Sequence, residues 1–354
     1  MAVPISVTRG QGPVLPEPSA LPAGSGNRGR AALGRLTTAI RRNRKATAGV
    51  ILLALFTLIA LFPNLIPHYN PAEIFYGPKC PSCYSAPALV QASPSSAHWL
   101  GTDLEGHDVF SQVIVGTRAV LVLALVTGLL TTLIAMVVGV AAAYLGGTWD
   151  GVLNLVTDVL LVIPLFPLLI VIVKYAGQSG NVVLIAVLTI TGWSYTARQL
   201  RAQAQSLRNR DFLLAAKVRG ERSFYIIMVE MIPTMTSLLL ACFLTNALYA
   251  VLAGSGLQFL GLGDPNLVSW GTTLYWANSQ GALQAGLYLW EIVPGLCIAL
   301  LGAAFALLNY AFDEISNPAL RPMRASAKRK KVPLATPTPT PAGGRLATDD
   351  AHAG

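Results

Sequence analysis

Charge is the scarcest commodity in this sequence. Only 12% of its 354 residues are Asp, Glu, Lys or Arg, while 53% are hydrophobic, and ordinary soluble domains carry about a quarter charged residues. That balance excludes a typical soluble domain and predicts an integral membrane protein. No GxxxxGKS or GxxxxGKT phosphate loop occurs, so the chain lacks the backbone cradle needed to hydrolyse a nucleotide. Histidine is sparse as well: His68, His98, His107 and His352 fall in loops or a tail, none beside a Ser or Cys in a nucleophile-base pattern. An enzyme is not expected, and no catalytic, cofactor-binding or metal-ligating residue is predicted. Cysteine is limited to four. Cys242 and Cys297 lie inside apolar runs and read as small apolar residues in packed helices. Cys80 and Cys83 form one CxxC, which suits a local disulfide, free thiols or half a metal site. A zinc site would need two further ligands, with only His68 and His98 nearby.

Acidic residues are fewer than basic ones, 16 against 25, for a net charge of +9. The bases concentrate in two tails and one internal loop without interleaved aromatics, so they read as topology signals rather than as a nucleic-acid surface.

What the sequence does have is long apolar runs. Residues 1–34 are Pro-, Gly- and Ser-rich and predict a disordered cytoplasmic tail. Residues 35–67 add a basic edge with Arg41, Arg42, Arg44 and Lys45, then a first span at 48–67, about the length that crosses a hydrocarbon core of about 30 Å. The 68–118 loop carries acids and few bases and belongs outside. Further spans are expected at 119–144, 151–173, 181–204, 225–253 and 291–310. Asp158, Pro164 and Pro167 interrupt the third; Asp158 reads as a structural carboxylate reaching water or a neighbouring subunit. Residues 254–290 read as external because of their glycines. The tail at 313–354 has a basic edge and a TPTPTP repeat, and is expected to be largely disordered. Six spans place both tails and the basic 198–222 loop on one side, the cytoplasmic one.

The segment 208–233, RNRDFLLAAKVRGERSFYIIMVEMIP, is the one charged stretch of length between apolar runs. Asp211 reads as the capped start of a helix, Gly220 as its end, and Pro233 as a tolerated kink in the next span. Ala215, Ala216, Gly220 and Pro233 resemble the EAA loop of ABC importer permeases. Leu214 stands where that family usually has Glu, and Glu230 where a His is common. Two further stretches, GTDLEGHDVFSQVIVGTR at 101–118 and QFLGLGDPNLVSWGTTL at 258–274, together with RRNRK and IPHYNP around the first span, are similar to the second permease subunit of dipeptide and oligopeptide ABC importers. His107 and Gln112 replace residues usually Arg in that pattern, and a Glu often found before FLGLG is absent.

The resemblance implies an all-α, six-span type I (MetI-like) permease with a five-helix core at 119–312 and a cytoplasmic coupling helix around residues 211–223. It implies a second permease subunit as heterodimer partner, two ABC ATPase subunits, an extracytoplasmic solute-binding protein and a prokaryotic plasma membrane. Asp211, Ala215, Ala216, Gly220 and Pro233 would form the ATPase-coupling loop. Phe259, Gly261, Gly263 and Trp270 would lie at the pore or its outer mouth. Di- or oligopeptides are the implied cargo, with nickel, glutathione or oligosaccharide as the alternative within the group and a secondary transporter as the alternative outside it.

Overall fold

The computed structural model of the protein describes residues 44–63, 69–75, 92–177 and 180–316. The 1–34 tail, residues 317–354, Cys80, Cys83 and His68 lie outside the described residues, while 313–316, expected to open the second tail, continue the last helix. Among the described residues no β-strand forms, only an isolated bridge between Thr102 and Asp108. The helices are α1 (Arg44–Leu61), α2 (Val109–Leu145), α3 (Gly147–Val162), α4 (Leu165–Ala176), α5 (Gly180–Arg208), α6 (Asp211–Val218), α7 (Thr236–Phe259), α8 (Trp270–Ser279) and α9 (Tyr288–Ser316). A short apolar helix, Ser223–Thr234, joins α6 to α7. The helices α1, α2, α5, α7 and α9 are each long and apolar enough to cross a membrane, and α3 with α4, bent at the break between them, brings the number to six when the pair is counted as one span. The all-α membrane architecture is therefore as the sequence predicts.

Its boundaries differ in instructive ways. The second span starts at residue 109 rather than 119, which shortens the expected 68–118 loop. Asp108 caps it: its carboxylate accepts from the Ser111 backbone N–H at 2.8 Å and from the Ser111 hydroxyl. Beyond Asp108 no proline stops the helix, and its 37 residues rise through about 55 Å at 1.5 Å each. The third span is two helices bent by 89°, because Pro164 and Pro167 cannot donate the backbone bonds that would continue α3. Residues 254–259 belong to α7 rather than to the outer loop. Gly254 is there for packing, since a Cβ on it would come 2.3 Å from Leu123 Cδ2.

Helices in lipid gain little from hydrophobic drive and associate through close backbone approach and interhelical hydrogen bonds. Both devices hold α2 in the centre. Against α7, a Cβ on Gly128 would stand 3.0 Å from the Ala247 Cβ; against α5, one on Gly139 would stand 2.5 Å from the Ala197 carbonyl. Between them runs a buried polar chain across three helices: the Thr196 hydroxyl donates to Asn246 Oδ1 at 3.0 Å, and Asn246 Nδ2 donates to the Thr132 hydroxyl at 2.9 Å. On the other side α1 and α9 close over α2 and α7 through Phe56, Leu301 and Phe305.

Candidate functional site

The first candidate is built on α6. The chain turns out of α5 when the Arg210 N–H donates to the Leu207 carbonyl at 2.9 Å, and the Arg210 carbonyl then accepts from Leu213 and Leu214. Arg210 is thus the helix cap, and it caps by backbone alone. Asp211, expected in that role, instead occupies the first turn, where its charge complements the amino-terminal end of the helix dipole.

Leu213 and Ala216, three apart and so on one face, are fully buried. They pack with Tyr144 of α2, Ala204 of α5, and Ile226 and Met231 of the joining helix. Lys217 Nζ lies 5.2 Å from the centre of the Tyr144 ring, within reach of its negative face. The other face is bare: Phe212, Leu214 and Val218 are 39%, 44% and 89% exposed, and Ala215 is exposed beside them. Gly220 closes the helix as the sequence predicts. Its N–H donates to Lys217 and that of Glu221 to Ala216, at 3.0 and 3.2 Å, a Schellman pair that needs a left-handed residue between them. Gly220 supplies it with φ +78°.

Beyond Gly220 the joining helix opens into a π turn at Ile226–Met231, after which the Ile232 N–H donates back to Ile227. Pro233 follows one residue later, with no N–H to give. Thr234 and Thr236 take up the local carbonyls: their hydroxyls donate to Met231 at 2.6 Å and to Pro233 at 2.8 Å. The expected kink at Pro233 is therefore a widened turn preceding it. Glu230, in the position where a His is common, comes 3.8 Å from Arg219.

Two ion pairs tie α3 to the carboxy-terminal half of α5. Asp150 takes a two-pronged contact from Arg201, both bonds 2.7 Å, and Asp158 pairs with Arg198 while accepting from Asn154. Arg208 reaches the Ala143 carbonyl at 3.3 Å, through room left by Gly146. The turn that bears α6 is thereby anchored to α2, α3 and α5 together.

At the opposite end, Asp103 and Asp108 organise the GTD segment. Asp103 accepts from the backbone of Glu105 and His107 and from the side chains of His107 and Gln112. Asp108 additionally meets His98 Nδ1 at 3.0 Å. Histidine and glutamine at 107 and 112 thus both engage the Asp103 carboxylate. A cleft of about 250 Å³ opens beside them, floored by Thr272 and Thr273 and walled by Trp276 and Trp290.

Of the four outer residues singled out in sequence, Phe259 is 41% exposed and ends α7, and Gly261 and Gly263 shape the turn after it. Trp270 departs from expectation. It is fully buried, its Nε1–H donates to the Val113 carbonyl at 2.9 Å, and its ring stands edge-on to Phe56. Trp270 anchors α8 inside the chain. The residue that sequence reasoning passed over is Gln258, which donates to Asn181 Oδ1 at 3.2 Å and accepts from the Ser269 hydroxyl at 2.8 Å. A lone amide ending an apolar helix was its signal.

Residues 135–322 match the family described as binding-protein-dependent transport system inner membrane component. The oligopeptide transport system permease protein OppC of Mycobacterium tuberculosis is 31% identical over 301 residues, covering 83% of this chain and 98% of that protein. The dipeptide transport system permease protein DppC of Bacillus subtilis is 30% identical, covering 80% of this chain and 84% of that protein. The OppC protein of Bacillus subtilis is 28% identical over 79% of this chain. With the matched region running from within α2 past the end of α9, the chain belongs to the family of binding-protein-dependent transport system inner membrane components.

Proposed function

We propose that this chain is one permease subunit of an ATP-driven importer of di- or oligopeptides. It would form the pore with a second permease, receive cargo from an external solute-binding protein and couple to two ATPase subunits through residues 208–233, in a prokaryotic plasma membrane with both termini cytoplasmic. The observation that carries the reading is the two-faced α6. Leu213 and Ala216 join it to the spans, while Phe212, Leu214 and Val218 present an apolar surface on the side where the basic residues gather. Apolar side chains clustered in an aqueous setting call for a partner surface. The peptide cargo is supported by the relatives named as oligopeptide and dipeptide permeases.

The mechanism follows from which contacts α6 makes. The backbone cap at Arg210 and the Schellman turn at Gly220 fix its ends, and Ala216 keeps it close against α2 and α5. When ATP closes the ATPase pair, the docked α6 moves, and the displacement passes to α2 through Tyr144 and to α7 through the turn at Ile226–Met231 and Pro233. Each access state is favoured by differential contacts, so nucleotide shifts the population between them. At the other end, Phe259, Gly261 and Gly263 would border the mouth at which cargo arrives.

Depletion of a mixed pool of short peptides from the medium, followed by mass spectrometry in cells with and without the chain, tests this. Loss of uptake for a class of peptides is expected. Unchanged depletion, with the chain expressed and its ATPase partner bound, would overturn the peptide assignment.

A further inference from the structure

We propose that the elbow between α3 and α4, centred on Val162, Ile163 and Pro164, lines the aqueous translocation pathway. Its bare carbonyls would face water and the N–H groups of the passing substrate. The inference rests on the transport reading for the existence of a pathway, and on the backbone for its position.

The level of the elbow follows from its neighbours. α3 is pinned to the carboxy-terminal half of α5 by Asp150–Arg201 and Asp158–Arg198, whereas α4 packs through Leu169 and Val173 against Leu184 and Leu188 near the amino-terminal end of α5. The two halves together cover α5 from end to end, so they form one crossing with its break inside the bilayer. Val162 follows Asp158 by one helical turn, about 6 Å along the axis of α3.

A break at that depth strips backbone groups of partners. Pro164 and Pro167 have no N–H, so the carbonyls of Leu160 and Ile163 lack the donor that a continuous helix would provide. Hydrocarbon does not tolerate such groups: non-helical backbone at membrane depth persists only inside protein or along a water-filled cavity. Within this chain nothing covers the elbow, since Val162 is 83% and Ile163 37% exposed and Pro164 is exposed too. A second observation separates water from a dry protein contact. Asp158 lies four residues before Val162 and shares its face. The side chains of Asp158 and its partner Arg198 remain 43% and 54% exposed. An ion pair left this open inside the membrane boundary belongs beside water. Carbonyls are acceptors only, which suits the amide and ammonium donors of a peptide.

The test is thiol accessibility in membrane vesicles holding the complete transporter, with Cys80, Cys83, Cys242 and Cys297 replaced by Ser. V162C and I163C are compared with L55C, at a half-exposed site on the unbroken α1. The reacting species is the thiolate, and each unit by which an apolar setting raises the thiol pKa lowers its fraction about tenfold. A charged, membrane-impermeant thiosulfonate should therefore modify V162C and I163C about tenfold or more faster than L55C, and a transported peptide should slow that reaction. Rates no greater than for L55C, or disulfide capture of either site by the second permease, would overturn the lining. Fast labelling that is indifferent to peptide would overturn the substrate contact. Absent peptide uptake with fast labelling retained would fault the cargo assignment and leave the lining standing.

Discussion

Replacing Gly220 separates backbone geometry from charge in the turn proposed to couple the chain to its ATPases. Gly220 has φ +78°, and a Cβ built there meets nothing within 4 Å, so substitution brings strain without a clash. An alanine in that left-handed conformation costs about 1–2 kcal/mol, a shift of roughly 5- to 30-fold in the balance between the closed turn and an opened one. Asparagine tolerates the conformation and should recover most of this loss. Aspartate shares much of that tolerance but adds a negative charge on an exposed turn beside Glu221. The assay is peptide uptake and peptide-stimulated ATP hydrolysis in vesicles containing the assembled transporter, with membrane abundance as control. All three variants should insert at parental levels, because the site is outside the spans. G220N should transport nearly as the parent does, G220A several-fold less, and G220D should hydrolyse ATP with little uptake. Normal uptake by G220D would refute the assignment of this turn to coupling. Equal behaviour of G220A and G220N would refute the dependence on left-handed backbone.

Asn246→Leu removes the middle of the Thr196–Asn246–Thr132 chain and should destabilise the bundle by about 0.6–1.7 kcal/mol, from the average to the maximum found by double-mutant cycles for interhelical hydrogen bonds in a membrane protein. Thermal unfolding in detergent reads this, and adding Thr196→Val should change it little further if the residues act as one network. Gly271→Ala would set a Cβ 2.6 Å from Gln258 and 2.8 Å from the Ser255 carbonyl, an overpacking worth about 1–3 kcal/mol. Gly151→Ala, where a Cβ meets nothing, should leave the unfolding midpoint unchanged or raise it. A lower midpoint for Gly151→Ala than for Gly271→Ala would contradict the packing.

The helical, membrane-crossing character of the chain was legible because long apolar runs and few charges leave one solution in lipid. Gly220 was legible for a local reason: its role depends on its own backbone and the turn before it. Elements decided by distant partners were not. Residues 109–118 look like polar lead-in, yet Gly116 among them fits against the Ser269 backbone, a contact that no local pattern encodes. Gly254 reads as a loop residue until Leu123 is placed beside it. Trp270 was expected near the outer mouth from the resemblance of its FLGLG and SWG stretch to peptide-importer permeases, and its inward position follows from a bond to Val113, 157 positions away. Asp211 failed as a cap because backbone groups of Arg210 already filled that place.

The π turn at Ile226–Met231 also sets a compass bearing. Its bonds close one residue later than those of an α-helix, so the turn stores a single surplus residue ahead of α7. Each residue of an α-helix turns its successor by about 100°. Losing that residue would rotate the whole of α7, carrying Asn246 away from Thr132 and Thr196 and Gly254 away from Leu123 without altering any of those side chains. The length of one turn ahead of α7 thus has the same authority over the bundle as the identities of the residues deep within it. Insertions and deletions should be tolerated far less there than point substitutions on its exposed positions.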